Sequence, residues 1–227
     1  GNVYEGDVKS VFFKEKPAEE TAEGRTGHII TGTSIMVNLS TPGEAEKVAH
    51  RDVDGVGLLR AEFVVSEIGI HPKEAIATGK DQDFVDRLAG DMAKIAGAFW
   101  PRPVIYRSFD FKTNEYRSLK GGEKYEHEES NPMIGYRGAS RAIAEPDVFE
   151  IELKAIKKVR EELGFKNLWL MMPFIRTIDE VREIKKVLEN WGFLKDKDFK
   201  FLVMAELPSI ALQIDEFAKE VDGFSIG

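Results

Sequence analysis

No cysteine occurs in the 227 residues, so a disulfide framework, a thiolate metal site and a cysteine nucleophile are excluded within them. No run of about 18 apolar residues is present and no signal-peptide pattern opens the chain, so the sequence reads as a soluble, cytoplasmic protein with no membrane partner. Excess positive charge is lacking too. With 32 Lys and Arg against 40 Asp and Glu, the net charge is −8, which argues against general nucleic-acid or anionic-membrane binding and leaves room for a local basic site. Histidine is scarce. His50, His71 and His127 share no metal-ligand spacing and read as surface or supporting residues. His28 sits in a Gly-Arg-Thr-Gly-His loop that could pass for a phosphorylatable one, but Ile29, Ile30 and Thr31 run on toward a strand. What is present, 42% hydrophobic residues, suffices for one large buried core. Many Glu and Lys without Cys also suit a heat-tolerant protein.

The most informative stretch is 200–227, KFLVMAELPSIALQIDEFAKEVDGFSIG. An apolar β-prone run, 201–205, delivers the carboxylate of Glu206 to its C-terminal end, where Pro208 opens a helix. That helix reads Ile210, Ile214, Phe217 and Val221, and Asp222-Gly223 returns the chain to a second apolar strand, 224–226. Parallel neighbours follow, and in β-α-β folds ligands are held at the C-terminal ends of the strands. Glu206 therefore sits either where chemistry is done or at a helix start that it merely caps.

The rest of the chain repeats the pattern. Residues 1–33 form a short Gly-bounded β segment followed by a polar linker, which looks like the tail of a preceding unit in a longer protein. From Ser34 to Gly227 strand and helix alternate. SIMVNL is the first strand, and Thr41-Pro42-Gly43-Glu44 reads as a capping box opening a helix over 42–51. The second strand, 55–59, ends in Arg60-Ala61-Glu62; a helix over 82–99 leads to a third strand, 104–106, followed by Arg107 and Asp110. A polar excursion over 114–130 is long enough to be a functional loop. NPMIGYRG reads as a short fourth strand ending in Arg137, then a helix over 147–163 leads to a fifth strand, 169–172, with Met171 and Met172 in the core. A second capping box, Thr177 to Glu180, opens a helix whose buried stripe runs Ile178, Val181, Ile184, Val187 and Trp191. Six β/α units plus a seventh strand predict an α/β (β/α)₈ TIM-type barrel that stops before its eighth strand.

Arg60, Arg107 and Arg137 each follow an apolar strand, so in a barrel they converge on one mouth. Guanidinium forks bind phosphate and carboxylate bidentately, and three of them facing Glu206 suit an anionic ligand held with a divalent cation. Glu62 and Asp110 are expected to orient these arginines.

Six ordered blocks, GVGLLRAEF, YRSFDFKTNEY, GGEKYEHEESNPMIGYRG, MMPFIRT, MAELPS and DGFSIG, closely resemble the C-terminal PEP-binding domain of the PEP-utilising enzymes, from about Ser34 to Gly227. KTNEY and GGEKYE resemble most the branch that makes phosphoenolpyruvate (PEP) from ATP, pyruvate and water, rather than pyruvate phosphate dikinase or the enzyme I of sugar phosphotransfer, which share the domain. The resemblance implies that ATP phosphorylates a histidine on a swivelling domain of the parent chain, which carries the phosphoryl group to pyruvate in this barrel. By motif, Arg60 and Arg107 would bind the phosphoryl group, Glu206 would ligate Mg²⁺ and contact substrate, and Gly227 would lend its backbone. Arg137, Asp110 and Glu62 would support the site. The resemblance also implies a homo-oligomer. In the family, the motif after FSIG continues to a metal-binding aspartate, and a cysteine on the eighth strand is the proton donor. The sequence ends before both, so these residues alone are expected to form no PEP.

Overall fold

The computed structural model describes residues 31–227. Apart from residues 31–33, the expected linker and the His28 loop lie outside the described residues. Six parallel strands form one sheet in the sequential order β1 (Met36–Leu39), β2 (Gly55–Arg60), β3 (Val104–Arg107), β4 (Leu168–Met172), β5 (Phe201–Ala205) and β6 (Gly223–Ile226). Runs such as VIYR, LWLMM and FLVMA are apolar almost without a break, as parallel strands covered on both faces require.

Because every strand pairs beside its predecessor, the helical crossovers all wind in one direction and share one face of the sheet. The side chains divide accordingly, with the period of two that a strand imposes in β3 to β5 and a shift of register within β2, between Val56 and Leu59. Val56, Leu59, Val104, Tyr106, Leu170 and Val203 join the core beneath the helices. Leu58, Ile105, Met171 and Met204 form a separate cluster on the opposite face, with Met36, Trp169 and Leu202 at its edge. Met171 and Met172 are both core residues, one on each face. The helix Asp81–Phe99 buries the stripe Phe84, Leu88, Met92, Ile95 and Phe99 and packs against the helix Pro146–Lys157. Truncating a residue as buried as Leu88 to Ala would cost about 2–5 kcal/mol through lost transfer energy and the cavity left behind. Among the described residues, no helix is long and apolar enough to cross a membrane.

Several local expectations change. NPMIGYRG is not a strand: Pro132–Ile134 form a 3₁₀ turn, and Gly138, at φ 63°, leads into the helix Ala139–Ala144. Pro132 lacks the amide that a ladder would need, and Met133 and Ile134 are exposed, with no face to bury. The described strands therefore number six, not seven, and Arg137 stands before a helix rather than after a strand. The Thr41 capping box does not form. Thr41 makes no side-chain cap, and Pro42–Glu44 are a 3₁₀ turn ahead of the short helix Ala45–Ala49. Glu62 does not extend β2 but opens the helix Glu62–Ile68. The single helix expected after Pro208 is two, Pro208–Leu212 and Ile214–Phe217, broken at Gln213. The Thr177 cap holds, since its hydroxyl accepts from the Glu180 amide at 3.2 Å. Glu180 closes back onto the amide of Arg176 rather than that of Thr177.

Candidate active site

Parallel strands bring all their C-terminal ends to one edge of the sheet. Arg60 ends β2 and Arg107 ends β3, and the two are register partners across the β2–β3 ladder. A cleft of about 460 Å³ opens over this edge and is lined by Arg60, Arg107 and Arg137, with Glu62 and Asp110 between them. Five of the seven residues expected from the sequence thus meet in one cleft. Glu206 and Gly227 follow β5 and β6 on the same edge and lie outside its lining.

The three guanidinium groups are held differently. Asp110, 5% exposed, accepts both arms of Arg137, from Nε at 2.8 Å and Nη2 at 2.6 Å, while Nη1 donates to Met133 O at 3.0 Å. The Asp110 contact pushes the Arg137 pKa above its ordinary value, and the charge of Glu206 adds to the shift. Arg107 gives Nη2 to Glu62 Oε1 at 2.6 Å, and its Nη1 lies 3.6 Å from Asp110 Oδ2. Its Nε and the Glu62 Oε2 are buried and unpartnered among the described residues. The Arg60 side chain is exposed and makes no hydrogen bond or ion pair with any described residue. One arginine is locked, one is half-engaged and one is free, so the cleft keeps unspent donors for an anion.

Phe174, just past β4, ties Glu206 to this cluster. Its amide donates to Glu206 Oε2 at 2.9 Å, and its ring lies under Arg137 (4.4 Å) and Arg176 (4.8 Å). Glu206 is exposed and forms no ion pair with any described residue. Sequence reasoning missed Phe174 and Arg176, although both stand in the MMPFIRT block. Arg176 stitches the 135–140 turn to β4 through Ser140 Oγ (2.8 Å) and the carbonyl of Gly135. Lys112 and Glu115, also in the cleft lining, were missed too; their place in YRSFDFKTNEY, just after Asp110, was the available signal.

The polar excursion is not a free loop. His71, read as a surface or supporting residue, is fully buried: its Nε2 lies 2.8 Å from Glu126 Oε1, and Arg141 pairs with the same carboxylate. Glu126, at the end of the excursion, is thereby pinned beneath the helices.

Among the described residues, no cluster of three His, Asp or Glu side chains is placed to hold a metal. The donor set at Glu206 is one exposed carboxylate with a single backbone donor on Oε2, which fits Mg²⁺ held by one or two carboxylates, water and substrate oxygens.

A protein-family model described as "PEP-utilising enzyme, PEP-binding domain" matches residues 15–227. Curated relatives include a protein named "Probable phosphoenolpyruvate synthase" from Staphylothermus marinus, 48% identical over the whole of this chain. Proteins named "Phosphoenolpyruvate synthase" from Aeropyrum pernix and Pyrococcus furiosus are 48% and 42% identical, again over the whole chain. The chain spans 28%, 29% and 28% of the length of these three relatives.

Proposed function

Because this chain belongs to the PEP-utilising enzymes, as their PEP-binding domain, we propose that its cleft is where a phosphohistidine of the same protein hands its phosphoryl group to pyruvate. The whole protein would then make PEP, as the names of its relatives say of them, and on this reading it would do so by converting ATP, pyruvate and water to AMP, PEP and phosphate. The fold that suits this reading is a (β/α)₈ barrel of which β1–β6 are one continuous arc.

The observation that carries the proposal is the graded commitment of three arginines within one cleft of about 460 Å³. In the transfer pyruvate gives up a methyl proton, which passes to solvent, the P–N bond of the phosphohistidine breaks to release the imidazole, and a P–O bond forms to the resulting enolate oxygen, with negative charge spread over the equatorial phosphoryl oxygens. Arg60 is free to meet those oxygens and Arg107 has its Nε unspent, so the two are the phosphoryl ligands. Arg137, locked by Asp110, sets the wall against which they work. Glu206 is the group to hold Mg²⁺, which when bound supplies charge neutralisation and templating for phosphate oxygens. Gly227, which follows β6 on the same edge of the sheet, would lend its backbone to the same ligand. Phe63 and Phe111 give the cleft an apolar side.

Calorimetric titration of PEP with Mg²⁺ into the protein's full reading frame tests the proposal. Saturable binding that Arg60→Ala weakens about tenfold or more supports it. Unchanged PEP binding by a folded Arg60→Ala protein contradicts it.

A further inference from the structure

The helix Pro146–Lys157 carries an acid, Glu152, that is 2% exposed and approaches β3 from the face opposite the inner cluster. Its Oε2 accepts from Tyr106 Oη at 2.6 Å and from the Phe109 amide at 2.9 Å, and its Oε1 accepts from Ser108 Oγ at 2.9 Å. These three donors stand immediately before and after Arg107. The next residue is Asp110, the partner of Arg137. One carboxyl thus ties together the Tyr106 and Ser108 hydroxyls and the Phe109 main-chain amide, on both sides of an arginine that lines the cleft, at the point where strand becomes loop.

We infer that Glu152 is a positioning residue for the cleft: its carboxyl fixes the 106–110 turn so that Arg107 and Asp110 face the ligand together. The inference rests on the reading of Arg107 as a phosphoryl ligand. A leucine at this depth would pack at a lower desolvation cost, so what position 152 uses is acceptor capacity, and all of its donors belong to the turn. Burial pushes the Glu152 carboxyl up to about 8, against the hydrogen bonds from Tyr106, Phe109 and Ser108 that favour ionisation. The charged and titratable groups facing it are Tyr106 on β3, Glu62 from the helix after β2, and Tyr116, Arg141 and Glu145, which share with it a cavity of about 20 Å³. Glu62 and burial both disfavour the charge. Ionisation of Glu152 would therefore place a new negative charge behind Arg107 and alter the turn's hydrogen bonds.

The test measures PEP affinity, with Mg²⁺ present, in the protein's full reading frame for Glu152→Gln, Glu152→Leu, Ser108→Ala and Arg107→Ala. Glu152→Leu, which removes every acceptor, should weaken PEP binding about tenfold or more. Ser108→Ala, which removes one donor from a protein that still folds, should weaken it about threefold. Glu152→Gln, a neutral isostere, should bind like the wild type at pH 7 and lose the fall in affinity that the wild type shows as pH rises through about 8. A purely structural role would leave that pH profile in place. If Glu152→Leu does not fold, Ser108→Ala and the Glu152→Gln profile decide the question. Wild-type affinity in Ser108→Ala together with an unchanged profile in Glu152→Gln would overturn the positioning role. Loss of binding in Arg107→Ala alone would leave the function standing and sink only the role of Glu152. Intact binding in Arg107→Ala would sink both.

Discussion

Phe174 donates its amide N–H to Glu206 Oε2 across 2.9 Å, and it does so from a left-handed backbone, φ 52°, that a bulky side chain rarely adopts. Such a conformation costs about 1–3 kcal/mol and persists where the surroundings over-determine it. Here two features do so. Gly138 packs directly on 173–174, where an added Cβ would lie 2.6 Å from both Phe174 Cβ and Pro173 O, and the Phe174 ring is held by Arg137 and Arg176. The strain aims an amide at the carboxylate on which the site reading turns.

Gly138→Ala should break that arrangement. Gly138 has φ 63°, and one of its two closest neighbours is a backbone carbonyl that cannot swing aside. We expect a loss of about 2 kcal/mol or more in denaturant unfolding, together with weaker PEP binding. A midpoint like that of the wild type would show that the 138–174 contact is slack.

Arg107→Ala in the protein's full reading frame should lower the pyruvate half-reaction by about 10³-fold, the scale on which phosphoryl-clamping arginines act. On the proposed function, phosphorylation of the remote histidine by ATP should survive, because that step would not use this cleft. Rapid-quench measurement of the two half-reactions separates the cases, and equal loss of both would indicate a folding defect instead.

Stability should respond to pH through Glu152. Its folded pKa is raised to about 8, above the ordinary value of 4.5, so the folded state holds the proton more tightly than the unfolded state between those values. The stabilisation is complete below about 4.5 and is lost as pH rises through about 8. Melting temperatures across this range should therefore decline more steeply for the wild type than for Glu152→Gln; parallel curves would mean that Glu152 is ionised in the fold.

The strands and the convergence of the arginines were legible because both are local in sequence: a basic residue after an apolar run lands at a strand end wherever neighbouring strands are parallel. β2 and β3 illustrate this, since Arg60 and Arg107 meet in register, and β5 delivers an acid, Glu206, to the same edge in the same way. Arg137 reached the same cleft by another route, a 3₁₀ turn and a left-handed glycine, because Pro132 and the exposed Met133 and Ile134 could not sustain a ladder. Glu152 left a trace in the pattern, but not of its partners. It stands four residues after Val148 and three before Ala155, on the apolar stripe of its helix, where periodicity marks an acid as buried but cannot name its partners; the three donors lie 43 to 46 residues away. His71 was hidden for the same reason, since its carboxylate partner Glu126 lies 55 residues along the chain.

On the proposed function, Glu206 serves a metal and the substrate rather than the fold. Its exposure, its single backbone donor and the absence of an ion pair to any described arginine favour that role over structural pairing. Glu206→Gln keeps an acceptor for the Phe174 amide, so stability should stay within about 1 kcal/mol of the wild type, while PEP binding should lose its dependence on Mg²⁺ and most of its strength. Titration of PEP with and without Mg²⁺, paired with a melting curve of the same variant, reads both quantities. Metal-dependent binding that survives while the melting temperature collapses would contradict the account and make Glu206 a structural residue.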